Sequence, residues 1–133
     1  KFLIDFDRFF SLLFDGCRQD SGDPIRWAEK LIAHYDKMRI DSRFKTAIFS
    51  DGLTFEKAVD LFNRFNSRIK TSFGIGTYLT NDCGFVAPQI VIKMIEFNHN
   101  PVAKVSDSAD KGMCEDTEFL EYLNKVIRED TKI

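Results

Sequence analysis

Polar and small residues gather in three short loops, each of which follows a β-rich segment. The loops read RQDSGDP, SDG and GIGT in single-letter code. The groups in them that could do chemistry are Arg18, Asp20, Ser50, Asp51, Gly52, Gly74, Gly76 and Thr77. Carboxylates accept hydrogen bonds from vicinal hydroxyls, glycines let backbone amides approach phosphate oxygens, and a guanidinium binds an anion or stacks on a flat ring. Together these groups would suit a sugar phosphate.

Each loop also has a simpler interpretation. Asp23 followed by Pro24 is typical of a helix N-cap, and Asp-Gly is a common turn pair. The GIGT loop lacks the spacing of a dinucleotide or P-loop motif. Arg18 and Asp20 are harder to explain as structure alone, because they form a polar pair beside two other polar strand ends.

Alternating strands and helices are expected to position these loops. Strands are predicted over Asp15–Gln19, Thr46–Phe49 and Ile69–Phe73. A helix is predicted from Pro24 to Met38, and Thr54 is expected to cap the next one. This alternation predicts parallel strands joined by crossover helices, and hence an α/β fold with all three loops at one edge.

The apolar residues of the helices recur at intervals of three and four, which predicts a buried face for each helix. The expected faces are Phe6, Phe9, Phe10 and Leu13 in a first helix; Ile25, Ala28, Leu31, Ile32, Tyr35 and Met38 in the second; and Phe55, Ala58, Val59, Phe62 and Phe65 in the third.

The C-terminal part has a different pattern. Gln89–Phe97 and Pro101–Ser106 flank the turn NHN and predict an antiparallel hairpin. A last helix is predicted from Thr117 to Arg128, with Phe119, Leu120, Leu123, Val126 and Ile127 on its apolar face.

Composition excludes several classes of function. The formal net charge is −2, so nothing favours binding to nucleic acid or to an anionic membrane. No apolar run approaches the roughly 20 residues that span a bilayer, and a cytoplasmic location is expected. Cys17, Cys83 and Cys114 lie in no metal-binding spacing and are interpreted as free thiols. His34 is expected at a helix surface and His99 in a turn, with neither acting as a catalytic base.

Six segments, in order, resemble the C-terminal part of the nicotinate phosphoribosyltransferases. They are DFDRFFSLLFDGCRQDSGDP, WAEKLIAHYDK, FSDGLTFEKAVDLF, RIKTSFGIGTYLTND, QIVIKMIEFN and PVAKVSDSADKGMC. The resemblance implies part of a (β/α) barrel, with three strand-helix units followed by the hairpin and the last helix. It also implies that residues 1–133 are one unit, a C-terminal fragment that opens on Lys1 without an initiator Met.

The resemblance implies an activity and a set of ligands. Members of this family join nicotinate to phosphoribosyl pyrophosphate, giving nicotinate mononucleotide and pyrophosphate, in a salvage step toward NAD. ATP hydrolysis is coupled to the reaction and Mg²⁺ is needed. A homo-oligomer is possible, and the family's phosphorylated histidine is expected upstream of this chain, so no catalytic residue and no metal ligand is assigned within it.

The resemblance also implies roles for individual residues. Arg18 and Asp20 match positions that face the base and the ribose, with Asp20 accepting from ribose hydroxyls. Ser50, Asp51 and Gly52 match a turn near the ribose phosphate; Gly74, Gly76 and Thr77 match the loop that binds the 5′-phosphate through its amides. Lys104, Ser106 and Lys111 match family positions without an assigned role.

Two other functions stay open at this point. One is a free-standing, non-catalytic domain that binds sugar phosphates or another protein. The other is a related enzyme acting on nicotinamide or quinolinate. The fragment hypothesis predicts exposed apolar helix surface and an unpaired sheet edge, whereas a free-standing domain should fold as a stable monomer.

Overall fold

A three-stranded parallel sheet carries the predicted loops. A computed structural model describes residues 2–86, 88, 90–106 and 112–129 of the chain. These fall into two compact units, one within Asp5–Ala87 and one combining Lys1–Ile4 with Pro88–Ile133. The sheet belongs to the first unit, and each unit is described by itself.

The strands of the first unit are β1 (Gly16–Gln19), β2 (Thr46–Phe49) and β3 (Lys70–Phe73), in the spatial order β1-β2-β3. Both pairings are parallel, and Arg18, Ile48 and Ser72 lie side by side in register. The α/β architecture with a parallel three-stranded sheet is therefore confirmed. The first two strands are each followed by a long helix, whereas β3 is followed only by the four-residue helix Thr77–Thr80. A closed (β/α) barrel has eight strands, so the barrel itself stays a prediction.

Helices α3 (Pro24–Lys37) and α4 (Phe55–Phe65) connect the strands and begin at the predicted caps. The Asp23 carboxylate accepts from the Arg26 amide at 2.7 Å, and the Thr54 hydroxyl accepts from the Lys57 amide at 3.3 Å. Their inner faces pack on one side of the sheet. The buried apolar side chains of this core include Cys17, Ala28, Leu31, Tyr35, Ala47, Phe49, Leu61, Phe65 and Ile69.

Gly16 allows β1 and β2 to approach closely. A Cβ atom at this position would overlap the carbonyl group of Thr46. The amide of Thr46 donates to the carbonyl of Asp15 at 2.8 Å, so the pairing extends just beyond the start of β1. Only glycine fits at this point without moving the backbone.

The predicted first helix is wrong in detail. The chain forms two short helices, α1 (Phe2–Asp5) and α2 (Arg8–Leu13), and Asp7 caps the second by accepting from the Phe10 amide at 3.0 Å. Only Phe6 of the predicted stripe is buried, while Phe9, Phe10 and Leu13 are exposed.

The buried face of α4 also differs from the prediction. Ala58 and Phe65 are buried as expected, together with Leu61, but Phe55, Val59 and Phe62 are exposed. The helix has apolar residues on two sides, so its periodicity could not tell which side packs on the sheet. In α3 the prediction holds better, and only Ile25 of its apolar stripe is exposed.

The second unit contains the predicted hairpin in a shorter form. Strands β4 (Glu96–Phe97) and β5 (Asn100–Pro101) pair antiparallel around Asn98 and His99, whose φ angles of 49° and 58° are typical of a tight hairpin turn. Gln89, where the first strand was predicted to begin, lies outside the described residues. Ile90 to Ile95 form no strand, since the described part of this unit gives their apolar side chains little to pack on: Ile92 is 96% exposed.

Helix α6 (Thr117–Glu129) confirms the last predicted helix within one residue. Asp116 caps it by accepting from the Phe119 amide at 2.8 Å. The five predicted apolar residues are the half-buried ones on this helix, and the polar residues between them are exposed. Among the described residues, no helix has the length and apolar character to cross a membrane.

Candidate functional site

The three predicted loops lie next to one another at the carboxyl edge of the sheet. Gln19, Phe49 and Phe73 are the last residues of their strands, and they are paired in register. The loops therefore begin side by side, at Asp20, Ser50 and Gly74. The sequence-based prediction that these loops share one edge is confirmed.

Arg18 and Ser50 join the first loop to the second. The guanidinium Nη1 of Arg18 donates to the Ser50 hydroxyl at 3.1 Å and lies 2.7 Å from Oδ1 of Asp20. The Ser50 hydroxyl in turn donates to the carbonyl of Gln19 at 2.8 Å. The Arg18 and Asp20 side chains are 57% and 60% exposed, so this ion pair is held in place yet open to a ligand.

The turn after β1 is fixed by a side chain that the sequence analysis missed. Gln19 is fully buried, and its Nε2 donates to the carbonyl of Gly22 at 2.9 Å. Gly22 has a φ of 79°, a backbone conformation that other residues rarely adopt. The other amide atom, Oε1 of Gln19, is buried without a hydrogen-bond partner in the described part of the chain.

The second loop reverses direction at Gly52, which has a φ of 56°. Its carbonyl accepts from Nζ of Lys57 at 3.3 Å, and Thr54 then begins α4. Asp51, between Ser50 and Gly52, is half-buried at the same edge. The structure therefore brings the predicted SDG residues beside Arg18.

The glycines of the third loop differ in what they do. The amide of Gly74 donates to the carbonyl of Phe49 at 2.8 Å, and a Cβ atom here would lie 3.3 Å from Cβ of Ser50. Gly74 thus extends the sheet and fits against the second loop. Gly76 has open space where a Cβ would lie, and Thr77 begins the short helix α5 (Thr77–Thr80). Gly76 and Thr77 are therefore the part of this loop that a phosphate could approach.

His34 was expected at a surface, and that prediction is wrong. It is buried and lies 2.6 Å from the carbonyl of Phe6 through Nε2; because a carbonyl only accepts, Nε2 carries the proton. Its ring also stacks on the Phe6 ring, with centroids 6.0 Å apart. His99 lies in the hairpin turn as predicted, 3.5 Å from Glu96.

The cysteines are free thiols, as predicted. Cys17 is buried, with its Sγ 3.8 Å from the Tyr35 hydroxyl, and burial raises the pKa of this thiol above its usual value. Burial also raises the pKa of Tyr35. Both groups stay protonated near neutral pH, which indicates a packing role. No three His, Cys, Asp or Glu side chains converge as a metal site within the described ranges.

Lys45 is a second buried polar residue that sequence reasoning missed. Its ammonium group donates to the carbonyls of Leu12 and Phe14, at 3.2 Å and 2.8 Å, and so caps the end of α2. It precedes β2 and thus lies at the amino edge, opposite the candidate site. Its role is structural.

The second unit places two of the residues without an assigned role. Lys104 forms an isolated antiparallel bridge with Met113. Lys104 and Ser106 both line a cavity of about 400 Å³, together with Cys114 and Leu120. Lys111 lies outside the described residues.

Comparison with known proteins gives the family. Residues 1–131 match the nicotinate phosphoribosyltransferase (NAPRTase) family. The chain belongs to this family. The resemblance noted in the sequence is therefore confirmed over nearly the whole chain.

Similar nicotinate phosphoribosyltransferases come from several bacteria. That of Ralstonia nicotianae is 54% identical over 125 residues, which cover 94% of this chain and 32% of the relative. That of Bordetella petrii is 54% identical over 127 residues, with 96% and 32% covered. The chain thus spans about a third of the length of the curated relatives it matches.

Solved structures of nicotinate phosphoribosyltransferases share the fold. The enzyme from Vibrio cholerae superposes with a TM-score of 0.86 at 47% identity, covering 93% of this chain and 31% of that one. The enzyme from Porphyromonas gingivalis superposes with a TM-score of 0.79 at 37% identity, covering 93% and 34%.

Proposed function

We propose that these residues belong to an enzyme that transfers a phosphoribosyl group from phosphoribosyl pyrophosphate to nicotinate. The products would be nicotinate mononucleotide and pyrophosphate, in a salvage step toward NAD that is coupled to ATP hydrolysis. The observation that carries this proposal is the joined pair of loops at the carboxyl edge, where Arg18 contacts both Ser50 and Asp20. Family membership supplies the reaction and the substrates.

The reaction depends mainly on how the ribose, the phosphate and the base are positioned. As the bond from C1 of the ribose to pyrophosphate breaks, its electron pair leaves with pyrophosphate and C1 becomes oxocarbenium-like. The ring nitrogen of nicotinate then forms the new bond to C1. Fixed groups that hold the ribose, the phosphate and the base in line lower this barrier without a covalent nucleophile.

Each loop would hold one part of the nucleotide. The carboxylate of Asp20 would accept hydrogen bonds from the ribose hydroxyls, and the guanidinium of Arg18 would face the base. Ser50, Asp51 and Gly52 would lie near the ribose phosphate. Gly76 and Thr77 would donate their amides to the 5′-phosphate, with Gly74 fixing the start of that loop against β2.

Mg²⁺ and ATP belong to the proposal for the whole enzyme. The described residues bring no three candidate metal ligands together, so no step is assigned to a metal held by this chain's side chains. When bound with phosphoribosyl pyrophosphate, Mg²⁺ would neutralise charge on the leaving pyrophosphate. The histidine that couples ATP hydrolysis is proposed to lie upstream, and neither His34, which is buried against Phe6, nor His99, in the hairpin turn, is assigned this role.

We further propose that the sheet is part of a barrel and that this chain is inactive alone. Arg18 and Ser72 are exposed on the sheet face opposite the buried Cys17, Ala47 and Phe49. In a (β/α) barrel that face would point to the interior. The exposed Phe55, Val59 and Phe62 also agree with the surface that the fragment hypothesis predicted.

The test is product formation from nicotinate, phosphoribosyl pyrophosphate and Mg-ATP. The complete polypeptide should form nicotinate mononucleotide, and the isolated chain should not.

In the complete polypeptide, Asp20→Ala should weaken nucleotide binding by about 1.5–3 kcal/mol, the range for a hydrogen bond to a charged group. An analogue without ribose hydroxyls should bind both proteins equally. Robust turnover by the isolated chain would contradict its proposed inactivity, and full activity of Asp20→Ala would contradict the site.

A second candidate function is a free-standing domain that binds sugar phosphates. The same loops favour it, because the contacts between Arg18, Asp20 and Ser50 need no other part of a protein. Sedimentation of the isolated chain separates the two hypotheses. A stable monomer that binds ribose 5-phosphate would favour the free-standing domain, while association through apolar surface would favour the fragment.

A further inference from the structure

Gln19 lies between the two residues that would bind the ribose and the base. It is the last residue of β1 and is fully buried, whereas its neighbours Arg18 and Asp20 are both exposed. Successive side chains of a strand point to opposite faces. The Gln19 side chain therefore lies under the loop, on the side where the helices pack.

The side chain and the backbone carbonyl of Gln19 each form a hydrogen bond within the candidate site. Its side-chain Nε2 donates to the carbonyl of Gly22 at 2.9 Å, across the Asp20–Ser21–Gly22 turn. Its backbone carbonyl accepts from the hydroxyl of Ser50 at 2.8 Å, and that hydroxyl accepts from Arg18. Gln19 thus fixes the path of the chain on which Asp20 is carried.

One of the two polar atoms of the Gln19 side-chain amide has no hydrogen-bond partner within the described part of the chain, which is unusual for a core residue. Oε1 has no hydrogen-bond partner in the described residues although it is buried. Leaving a buried acceptor unpaired destabilises a fold, and an apolar side chain of similar shape would avoid this loss. Residues that break such a local rule are expected at functional sites, where another requirement outweighs stability.

We propose that Gln19 is a positioning residue, which holds the turn through Gly22 so that Asp20 and Arg18 are oriented for the nucleotide. This inference rests on the proposed function. The ligand never contacts Gln19; the residue acts through its neighbours. A small displacement of a binding group strongly weakens its interaction with a ligand. Loss of the hydrogen bond from Gln19 to Gly22 should therefore weaken nucleotide binding.

The test is a Gln19→Met variant of the complete polypeptide, with nicotinate mononucleotide as the probe in titration calorimetry. Methionine has a similar length and removes both the donor and the unpaired acceptor. Thermal unfolding should shift little, because the two effects on stability oppose each other. The dissociation constant should rise about tenfold, as expected when one positioning hydrogen bond is lost.

A double-mutant cycle separates positioning from a general structural role. If Gln19 acts through Asp20, the variant Gln19→Met/Asp20→Ala should bind no more weakly than Asp20→Ala alone. Additive losses would overturn the inference. Should the methionine variant fail to fold, Gln19→Leu replaces it: leucine is also apolar and cannot donate to Gly22, so the same rise in dissociation constant is expected.

Ser42→Ala is the matched control for the loss of a buried hydrogen bond. The Ser42 hydroxyl donates to the carbonyl of Arg68 at 2.8 Å, at the amino edge of the sheet. This variant should lower the unfolding temperature and leave the dissociation constant unchanged. An unchanged dissociation constant of nicotinate mononucleotide for Gln19→Met would overturn the positioning role and leave the proposed function intact. If the unmodified protein does not bind nicotinate mononucleotide, both the positioning role and the proposed function are overturned.

Discussion

The guanidinium of Arg18 lies 3.1 Å from the hydroxyl of Ser50, and these residues are 32 positions apart in the chain. This contact joins the loop after β1 to the loop after β2. Through the same nitrogen Arg18 pairs with Asp20, and through the same hydroxyl Ser50 holds the carbonyl of Gln19. Ser50 is therefore connected to Arg18 directly and to Asp20 through that arginine.

Ser50→Ala should loosen this connection. The substitution removes one acceptor for Arg18 and one donor to Gln19, so we expect nicotinate mononucleotide to bind roughly threefold to tenfold more weakly. The free energy of unfolding should fall by about 1 kcal/mol. Calorimetric titration and chemical unfolding of the complete polypeptide measure the two effects. Ser67→Ala, at an exposed serine, is the control; equal binding by both variants would argue against the connecting role.

Gly16→Ala should be strongly destabilising. The new methyl group would overlap the Thr46 carbonyl, and β1 would have to move away from β2. We expect a loss of at least about 3 kcal/mol in the free energy of unfolding, at the upper end for steric overpacking. The denaturant midpoint measures it. Stability equal to that of the unmodified protein would show that the strands can separate here at little cost.

Gly76→Val tests the phosphate loop. Open space surrounds the Cβ direction of Gly76, so the fold should tolerate the side chain, whereas a 5′-phosphate approaching the amides would be obstructed. We expect nicotinate mononucleotide to bind about tenfold more weakly, which corresponds to about 1.4 kcal/mol. Nicotinate riboside, which lacks the phosphate, is the control ligand and should bind both proteins equally. An unchanged affinity for the mononucleotide would remove Gly76 from the site.

The thiols should differ in reactivity in an order set by exposure. Cys83 is exposed, Cys114 is half-buried and Cys17 is buried, and burial raises the pKa of Cys17 so that little thiolate forms. At pH 8 a water-soluble thiol reagent should modify Cys83 first and Cys17 only when the protein unfolds. Peptide mapping by mass spectrometry follows each site. Modification of Cys17 at the rate of Cys83 would mean that the α3 side of the sheet opens readily.

The sequence by itself was sufficient for the three parallel strands, for α3, α4 and α6, and for the edge on which the loops lie. Caps such as Asp23 and Thr54 act within three residues, so the starts of α3 and α4 could be predicted from neighbouring positions alone. Alternation of strands and helices then required parallel pairing, and parallel pairing placed the loops side by side.

Contacts between distant segments could not be predicted in this way. The length of the hairpin and the burial of His34 depend on which surfaces are available for packing, and periodicity carries no such information. The same holds for α4, where Leu61 rather than Phe62 faces the sheet because the helix has apolar residues on both sides.

The candidate site shows the same division between what the sequence predicts and what only the tertiary structure shows. Residue types and loop order in the sequence identified Arg18, Asp20 and the glycines as candidates, since their chemistry is local to each loop. Only the tertiary structure paired Arg18 with Ser50 and gave Gly74 its contact with β2. The physical reason is that hydrogen-bond partners 25 to 32 positions apart are brought together by the register of the strands, which forms only when the sheet does.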